Sequence, residues 1–170
     1  MKIKTLKVHM NAELPRKAYP NDFCYDCVAV SEEEIAPNVW KYGLGLAFQI
    51  ERDTETLITS TCFHGGKEMT HMTKIDFSRS PINLSIDARP RSSVWKTGMI
   101  LSNCEGTIDE NYIGEVSAVF YHVMPNMPRY KVGQRVCQIK LGFTLPMEFE
   151  SANSLDKTDR GANGYGSSGK

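Results

Sequence analysis

Alternation of apolar and polar residues with a period of two runs through most of this chain, and helical periodicity is hard to find in it. A segment that alternates this way presents one apolar face as a strand and none as a helix, so the pattern fixes the class before any other feature is read. Ile3, Leu6 and Val8 mark a first strand. Val39 to Ile50 (VWKYGLGLAFQI) reads as a strand with a glycine-marked bend. Thr56 to Phe63, Ile82 to Ile86, Val116 to Val123 and Arg135 to Phe143 are further strands, rich in β-branched and aromatic residues and bounded by Gly, Pro, Asn or Asp. Many short strands within 170 residues predict one all-β domain, a barrel or jelly roll. Gly65 to Ser80 is weakly patterned and is expected to be a loop or one short helix.

From Ser151 the composition changes. SANSLDKTDRGANGYGSSGK has almost no apolar residue and several glycines. Such a segment buries too little to offset its own ordering entropy, which predicts a mobile arm over 151–170 attached to a domain over 1–150. Its last residues, GYGSSGK, match the GxxxxGK spacing of a phosphate-binding loop. That loop needs a helix after the Lys to face the anion, and the sequence supplies none after Lys170.

Charge narrows the partners. Lys plus Arg equals Asp plus Glu at 20 each, which argues against broad nucleic-acid binding through a basic face. No run approaches the roughly 18 apolar residues of a membrane helix, and MKIKTLKVHM lacks the apolar core of a signal peptide. Five cysteines form no regular framework, so reduced thiols in the cytoplasm are the expectation. Cys24 and Cys27 form a single CxxC without the second ligand pair a zinc site needs, and buried thiols packing as small core residues are the better reading.

Three constellations carry chemistry. In ARPRSSVW, Arg91, Ser92 and Ser93 offer a guanidinium and two hydroxyls suited to phosphate oxygens; the plain alternative is a surface turn before a strand. In GTIDENYIGEV, two glycines bracket an acidic and aromatic run, a hairpin-like excursion between strands. Asp109 there is either a carboxylate that takes a proton from water or a turn former, and Tyr112 offers a flat wall. In the arm, Arg160, Tyr165, Ser167 and Ser168 lie among glycines, where an aromatic ring can cover a base while backbone reaches phosphates.

YDCVA (Tyr25 to Ala29), PRSSV (Pro90 to Val94), GTIDENYIGEV (Gly106 to Val116), GQRVCQI (Gly133 to Ile139) and RGANGYGSSG (Arg160 to Gly169), in this order, resemble the five motifs of the homotrimeric dUTPase family. The resemblance spans nearly the whole chain. It implies a distorted jelly-roll barrel and hydrolysis of dUTP to dUMP and pyrophosphate, which keeps uracil out of DNA and supplies dUMP. It implies Asp109 as the carboxylate that activates water for in-line attack on the α-phosphorus, and Tyr112 against the deoxyribose. Asn103, Thr107, Ile108 and Ser117 match the uracil-binding positions. Arg91, Ser92, Ser93 and Gln138 match the phosphate-contacting ones. Arg160, Tyr165, Gly166, Ser167 and Ser168 would come from an arm that crosses to a neighbouring subunit, which answers the stranded glycine-rich loop without a helix. Mg²⁺ would be held mainly by the triphosphate and touched by Asp26 only through water. The resemblance also implies a homotrimer with shared sites, and no nucleic-acid or membrane partner.

The chain departs from the pattern in four places. Asn21 to Cys24 replace a small lead-in to the first motif. Ser93 stands where Gly is common, with Trp95 soon after. Tyr165 stands where Phe is usual. Residues 52–81 form an insertion. Two other functions are weighed against hydrolysis. A dCTP deaminase would carry Glu before the aromatic pair Phe120 and Tyr121, where Val119 stands. A regulatory protein on this fold would use the 52–81 insertion as its docking surface.

Overall fold

The computed structural model describes residues 2–52, 56–64, 67–75 and 81–163. Twelve strands are formed among them: β1 (Lys2–Lys7), β2 (Tyr25–Val28), β3 (Ser31–Ala36), β4 (Val39–Gly43), β5 (Leu46–Glu51), β6 (Thr56–His64), β7 (Lys67–Ile75), β8 (Asn83–Pro90), β9 (Met99–Leu101), β10 (Gly106–Asp109), β11 (Ser117–His122) and β12 (Arg135–Thr144). One short 3-10 helix, Ser92–Thr97, follows β8. The chain is all-β, as its alternation requires, in a jelly-roll-like arrangement. Two four-stranded sheets, β10-β8-β12-β2 and β3-β4-β11-β9, supply most of the core, and β1-β5, which adds Leu46 and Phe48 to it, and β6-β7 form two-stranded sheets.

The period of two shows along β11 and β8. Along β11, Ala118, Phe120 and His122 are buried while Tyr121 faces solvent. Along β8, Leu84, Ile86 and Ala88 are buried and pair in antiparallel register with Phe143, Leu141 and Ile139 of β12, of which Ile139 is buried with them. Tyr42 and Phe120, both fully buried, meet Tyr130 edge to face, with ring centroids 5.9, 6.1 and 5.4 Å apart. Such ring pairs contribute about 0.5–1.5 kcal/mol each beyond the area they bury. The Tyr42 hydroxyl donates to the Tyr130 carbonyl at 2.9 Å, which satisfies its polar end inside the core.

Two expectations are corrected. Residues 65–80 were expected as a loop or short helix, but Lys67–Ile75 is a strand paired antiparallel with β6 from Thr56↔Ile75 to His64↔Lys67. The insertion is therefore largely a β-hairpin. Gly65-Gly66 between two Thr-containing runs is the sequence signal for it. The excursion Gly106 to Val116 is not a hairpin either. β10 pairs with β8 and β11 with β4, so the chain crosses between sheets there. Val116 is what moves it across: its N–H donates to Leu46 O and its carbonyl accepts from Leu44 N, at 2.8 and 3.0 Å.

The glycine-marked bend between β4 and β5 is real and sterically required. Gly45 has φ +65°, and a methyl group there would lie 2.7 Å from His9 Cβ and 2.9 Å from Val30 Cγ2. Its N–H donates to the Glu115 carboxylate at 2.9 Å, so the bend also holds the end of the crossing segment. Gly45→Ala is expected to lower unfolding free energy by about 1–3 kcal/mol, through backbone strain and overpacking. Urea denaturation beside the parent chain checks this, and equal midpoints would refute it.

Candidate active site

The outward face of the β10-β8-β12-β2 sheet is polar, and its residues fall in rows set by the strand register. Asp26, Gln138 and Arg89 form one row, Lys140, Asp87 and Thr107 the next, and Gly142, Ser85 and Asp109 a third. The strands carrying the second and fourth motifs are central, and those carrying the first and third motifs are the edges. Three strand spacings, about 14 Å, separate those edges.

The first cluster gathers at the β2 edge. Arg91, in extended conformation at the start of the 3-10 helix, donates from Nε to Asp26 Oδ1 at 2.7 Å and from Nη2 to Oδ2 at 3.2 Å. Arg135 Nη1 donates to the same Oδ2 at 3.0 Å. Arg91 Nη1 reaches Ser93 Oγ at 3.3 Å, and Gln138 Nε2 donates to the Pro90 carbonyl at 2.9 Å. One carboxylate thus holds two guanidinium groups at the lip of a cleft of about 470 Å³ lined by Arg91, Ser93, Lys96, Arg129, Gln134 and Arg135. A cleft with four cations suits a polyanion such as a phosphate chain. Ser92 is exposed beside it.

The second cluster lies at the β10 edge. Thr107 and Asp109 line a separate cleft of about 850 Å³, with Ser85, Asp87, Glu105 and Glu110. Asp109 is the last residue of β10 and is exposed, and Ile108 beside it packs against the core. The Asp109 carbonyl accepts from Tyr112 N at 3.0 Å, a tight turn that sets Tyr112 next to Asp109. The Tyr112 hydroxyl donates to Glu115 O at 3.0 Å, and its ring lies so close over Gly114 that a Cβ there would fall 2.6 Å from the hydroxyl oxygen. Gly114 is therefore what allows the ring to lie flat. Asn103 is exposed with its side chain near Gly106, and Ser117 begins β11 opposite Gly43.

A single chain brings Asp26, Arg91, Ser93 and Gln138 together and sets Thr107 and Asp109 apart from them; the two clefts share no lining residue. Arg160 is exposed and donates from Nε to Asn163 O at 3.0 Å. Tyr165, Gly166, Ser167 and Ser168 lie outside the described residues. Cys24, Cys27, Cys104 and Cys137 are free thiols. Cys27 is buried opposite Cys137 across the β2–β12 register, and its contact with Cys137 and its burial push its thiol pKa up. Among the described residues no group of three or more His, Cys, Asp or Glu side chains could hold a metal ion.

Some residues escaped the sequence reading. Arg135 was visible inside GQRVCQI, but only the register reveals that it shares Asp26 with Arg91. Among the described residues the Tyr130 hydroxyl, buried beneath that cleft, has no hydrogen-bond partner, and burial raises its pKa. Between the clusters, Lys140 Nζ donates to Asp87 Oδ2 at 2.5 Å, and Ser85 Oγ donates to Oδ1 at 2.8 Å. Burial works against the Asp87 charge, yet Lys140 and Ser85 outweigh it and hold its pKa below the ordinary carboxylate value.

With this geometry in view, comparison with known proteins is decisive. The dUTPase family pattern matches residues 60–169, well over half of the chain. The chain belongs to the dUTPase family. It is 28% identical over 171 residues to the deoxyuridine 5'-triphosphate nucleotidohydrolase of Clostridium novyi, covering 99% of both chains. It is 37% identical over 92 residues to the enzyme of the same name from Bdellovibrio bacteriovorus, covering 53% of this chain and 61% of that one. Its fold is similar to that of the Staphylococcus bacteriophage 80alpha dUTPase solved with dUPNHPP, with a TM-score of 0.69, 16% identity and 99% of both chains covered.

Lys140→Met leaves the nearly buried Asp87 carboxylate with the Ser85 hydroxyl and the weaker pull of the Arg89 charge. It is expected to destabilise this dUTPase-family chain by about 3–5 kcal/mol near pH 7. Because the folded-state pKa of Asp87 is lowered, the pair stabilises above the unfolded value of about 3.9 and is lost as pH falls through the folded one. The gap between parent and variant should therefore close at acid pH. Denaturation midpoints from pH 7 down to pH 3 measure it, and a gap independent of pH would refute the assignment.

Proposed function

We propose that this chain hydrolyses dUTP to dUMP and pyrophosphate, with Asp109 activating the attacking water. The observation that carries the reading is the division of the first four motif segments between a cation-lined cleft and a carboxylate with an aromatic wall, in a chain of the dUTPase family. Arg91, Ser92, Ser93 and Gln138 bind the phosphates, with Arg135 beside them. Asp109 takes a proton from the water that attacks the α-phosphorus in line. Tyr112 packs on the deoxyribose, where a 2′-hydroxyl would clash. Asn103, Thr107, Ile108 and Ser117 form the base end, which reads uracil's hydrogen-bonding edge. Product dUMP feeds thymidylate synthesis, in the cytoplasm. Among the described residues no helix is long and apolar enough to cross a membrane.

The residues fit a substrate-borne Mg²⁺ better than a protein-held one. Both Asp26 oxygens already accept from arginines, so a direct metal bond would displace one of them. Asp26 would instead reach a hydrated ion through water, in keeping with the strong hydration of Mg²⁺. Such an ion would supply charge neutralisation to the triphosphate. A structural Mg(II) ion is described in the dUTPase of phage phi11 of S. aureus, which is similar in fold at TM-score 0.60 and 13% identity.

A homotrimer with shared sites supplies what one chain separates. The cation cleft of one subunit meets the Asp109 edge of a second, and the arm over 151–170 brings Arg160, Tyr165, Gly166, Ser167 and Ser168 over the nucleotide. Phe143, Leu145, Met147 and Phe149 alternate in the sequence at and beyond the end of β12 and are 63–89% exposed, apolar side chains suited to a second copy of the chain. Deamination of dCTP is the weaker reading, since Val119 holds the position where that chemistry needs Glu.

The expected substrate order is dUTP far above dTTP, dCTP and UTP, read as pyrophosphate release with Mg²⁺ beside ammonia release from dCTP. Asp109→Asn should keep binding of a non-hydrolysable dUTP analogue and lose roughly 10²–10⁴-fold in turnover, the usual contribution of general base catalysis. Near-normal turnover in that variant, or equal use of UTP, would refute these roles.

Mixing tests the crossing arm. Chains cut after Asp159 and Asp109→Asn chains should each be nearly inactive alone. After subunit exchange, some trimers pair an intact Asp109 with an arm from the other variant, and activity should rise above both parents. Confirmed exchange without recovery would show that the arm does not act across subunits.

A further inference from the structure

Among the described residues the Asp109 carboxylate has no hydrogen-bond or ion-pair partner, so its aim depends on how its backbone is held. On one side β10 pairs with β8, where Asp109 faces Ser85. On the other side the next residue, Glu110, is clamped. Arg52 donates from Nε to Glu110 Oε1 at 2.7 Å and from Nη2 to Oε2 at 2.6 Å, a two-bond fork on one carboxylate. Arg52 Nη2 also donates to the Ile82 carbonyl at 2.8 Å. The guanidinium is only 22% exposed and the carboxylate 29%. Arg52 foremost, and the Leu84 N–H in addition, hold the Glu110 carboxyl below its ordinary pKa against the opposing effect of burial.

Arg52 and Ile82 flank, in sequence, the stretch that contains β6 and β7, so one guanidinium joins both flanks to the residue that follows Asp109. The two-bond geometry matters because a planar fork fixes direction as well as distance, which a single ammonium contact does not. A carboxylate that must meet a water in line with a phosphorus is sensitive to such fixing. A displacement near 1 Å can cost about a hundredfold in rate.

We propose that Arg52 is a positioning residue for Asp109, acting through Glu110, and that this ties the 52–81 insertion to the chemical step. The inference rests on dUTP hydrolysis by Asp109 as set out above. It assigns no contact between Arg52 and nucleotide, so its loss should appear in kcat and not in binding.

The test compares Arg52→Met, Arg52→Lys, Glu110→Gln and the double variant Arg52→Met/Glu110→Gln with the parent chain, whose dUTP turnover is measured first. Arg52→Met and Glu110→Gln should each lower kcat about tenfold to a hundredfold. KM and the affinity for a non-hydrolysable dUTP analogue should stay within about threefold. The double variant should be no slower than the slower single one, because both remove one contact. Arg52→Lys should recover part of the loss. Thermal melting separates this from unfolding, and if Arg52→Met is not folded at the assay temperature, Glu110→Gln carries the same comparison. Unchanged kcat in both single variants, losses that multiply in the double variant, or a loss carried by KM would each overturn the assignment while dUTP hydrolysis stands. A parent chain inert toward dUTP would overturn the functional reading, and this inference with it.

Discussion

The antiparallel pairing of β8 with β12 is the constraint on which the rest of the molecule depends. Eight residue pairs, from Cys137↔Pro90 to Thr144↔Asn83, fix which side chains face the core and which face out. Inward, Ile86, Ala88 and Ile139 join the Tyr42, Phe120 and Tyr130 rings. Outward, Arg89, Gln138, Asp87 and Lys140 form a polar face. A slip of one residue would exchange the two sets, burying charge and exposing the apolar core. β10 and β2 then attach to the outer sides of this pair, so the register of two central strands places both edge motifs.

The same pairing explains why the polar face tolerates a nearly buried carboxylate. Asp87 sits between the two clusters with Lys140 and Ser85 satisfying its oxygens. A charge in that position is costly unless paired and hydrogen-bonded. Gly142 makes room for the arrangement, because a Cβ there would meet Asp87 Cγ at 2.8 Å. The sheet between the two clefts is thus close to charge-balanced, and most charges lining the clefts are themselves paired, Arg91 and Arg135 with Asp26 and Arg129 with Glu32. One carries four cations. The other carries Asp87, Glu105, Asp109 and Glu110, of which Asp87, Glu105 and Glu110 have cationic partners and Asp109 has none among the described residues. An unpaired carboxylate stays available to take a proton.

What was legible in the sequence was local. Period-two alternation gave the all-β class because it depends only on which side of a strand each residue faces. The glycine-marked bend within Val39 to Ile50 was legible, and the structure places it at Gly45, where glycine takes φ +65° without strain. The five motif segments were legible because their chemistry is written in short contiguous runs. The loop-or-helix expectation for 65–80 failed because the weak patterning there does not reveal that Lys67–Ile75 pairs with β6. The hairpin expectation for Gly106 to Val116 failed because pairing partners are chosen at long range, by β8 and β4, and not by neighbours in the chain.

By itself, then, the sequence determined the strand class, the positions of the bends, and which residues carry charge, hydroxyl or ring in each motif. Only the tertiary structure decided which of them meet. Asp26, Arg91 and Arg135 are separated by 65 and 109 residues along the chain and share one carboxylate. Arg52 finds Glu110 58 residues away. The physical reason is that strand register and sheet order are set by burial of one continuous core, a sum over many weak contacts that no local run contains. Long-range ion pairs form where that register brings their backbones close. Asp109 and Arg91 lie within one chain yet in different clefts for the same reason.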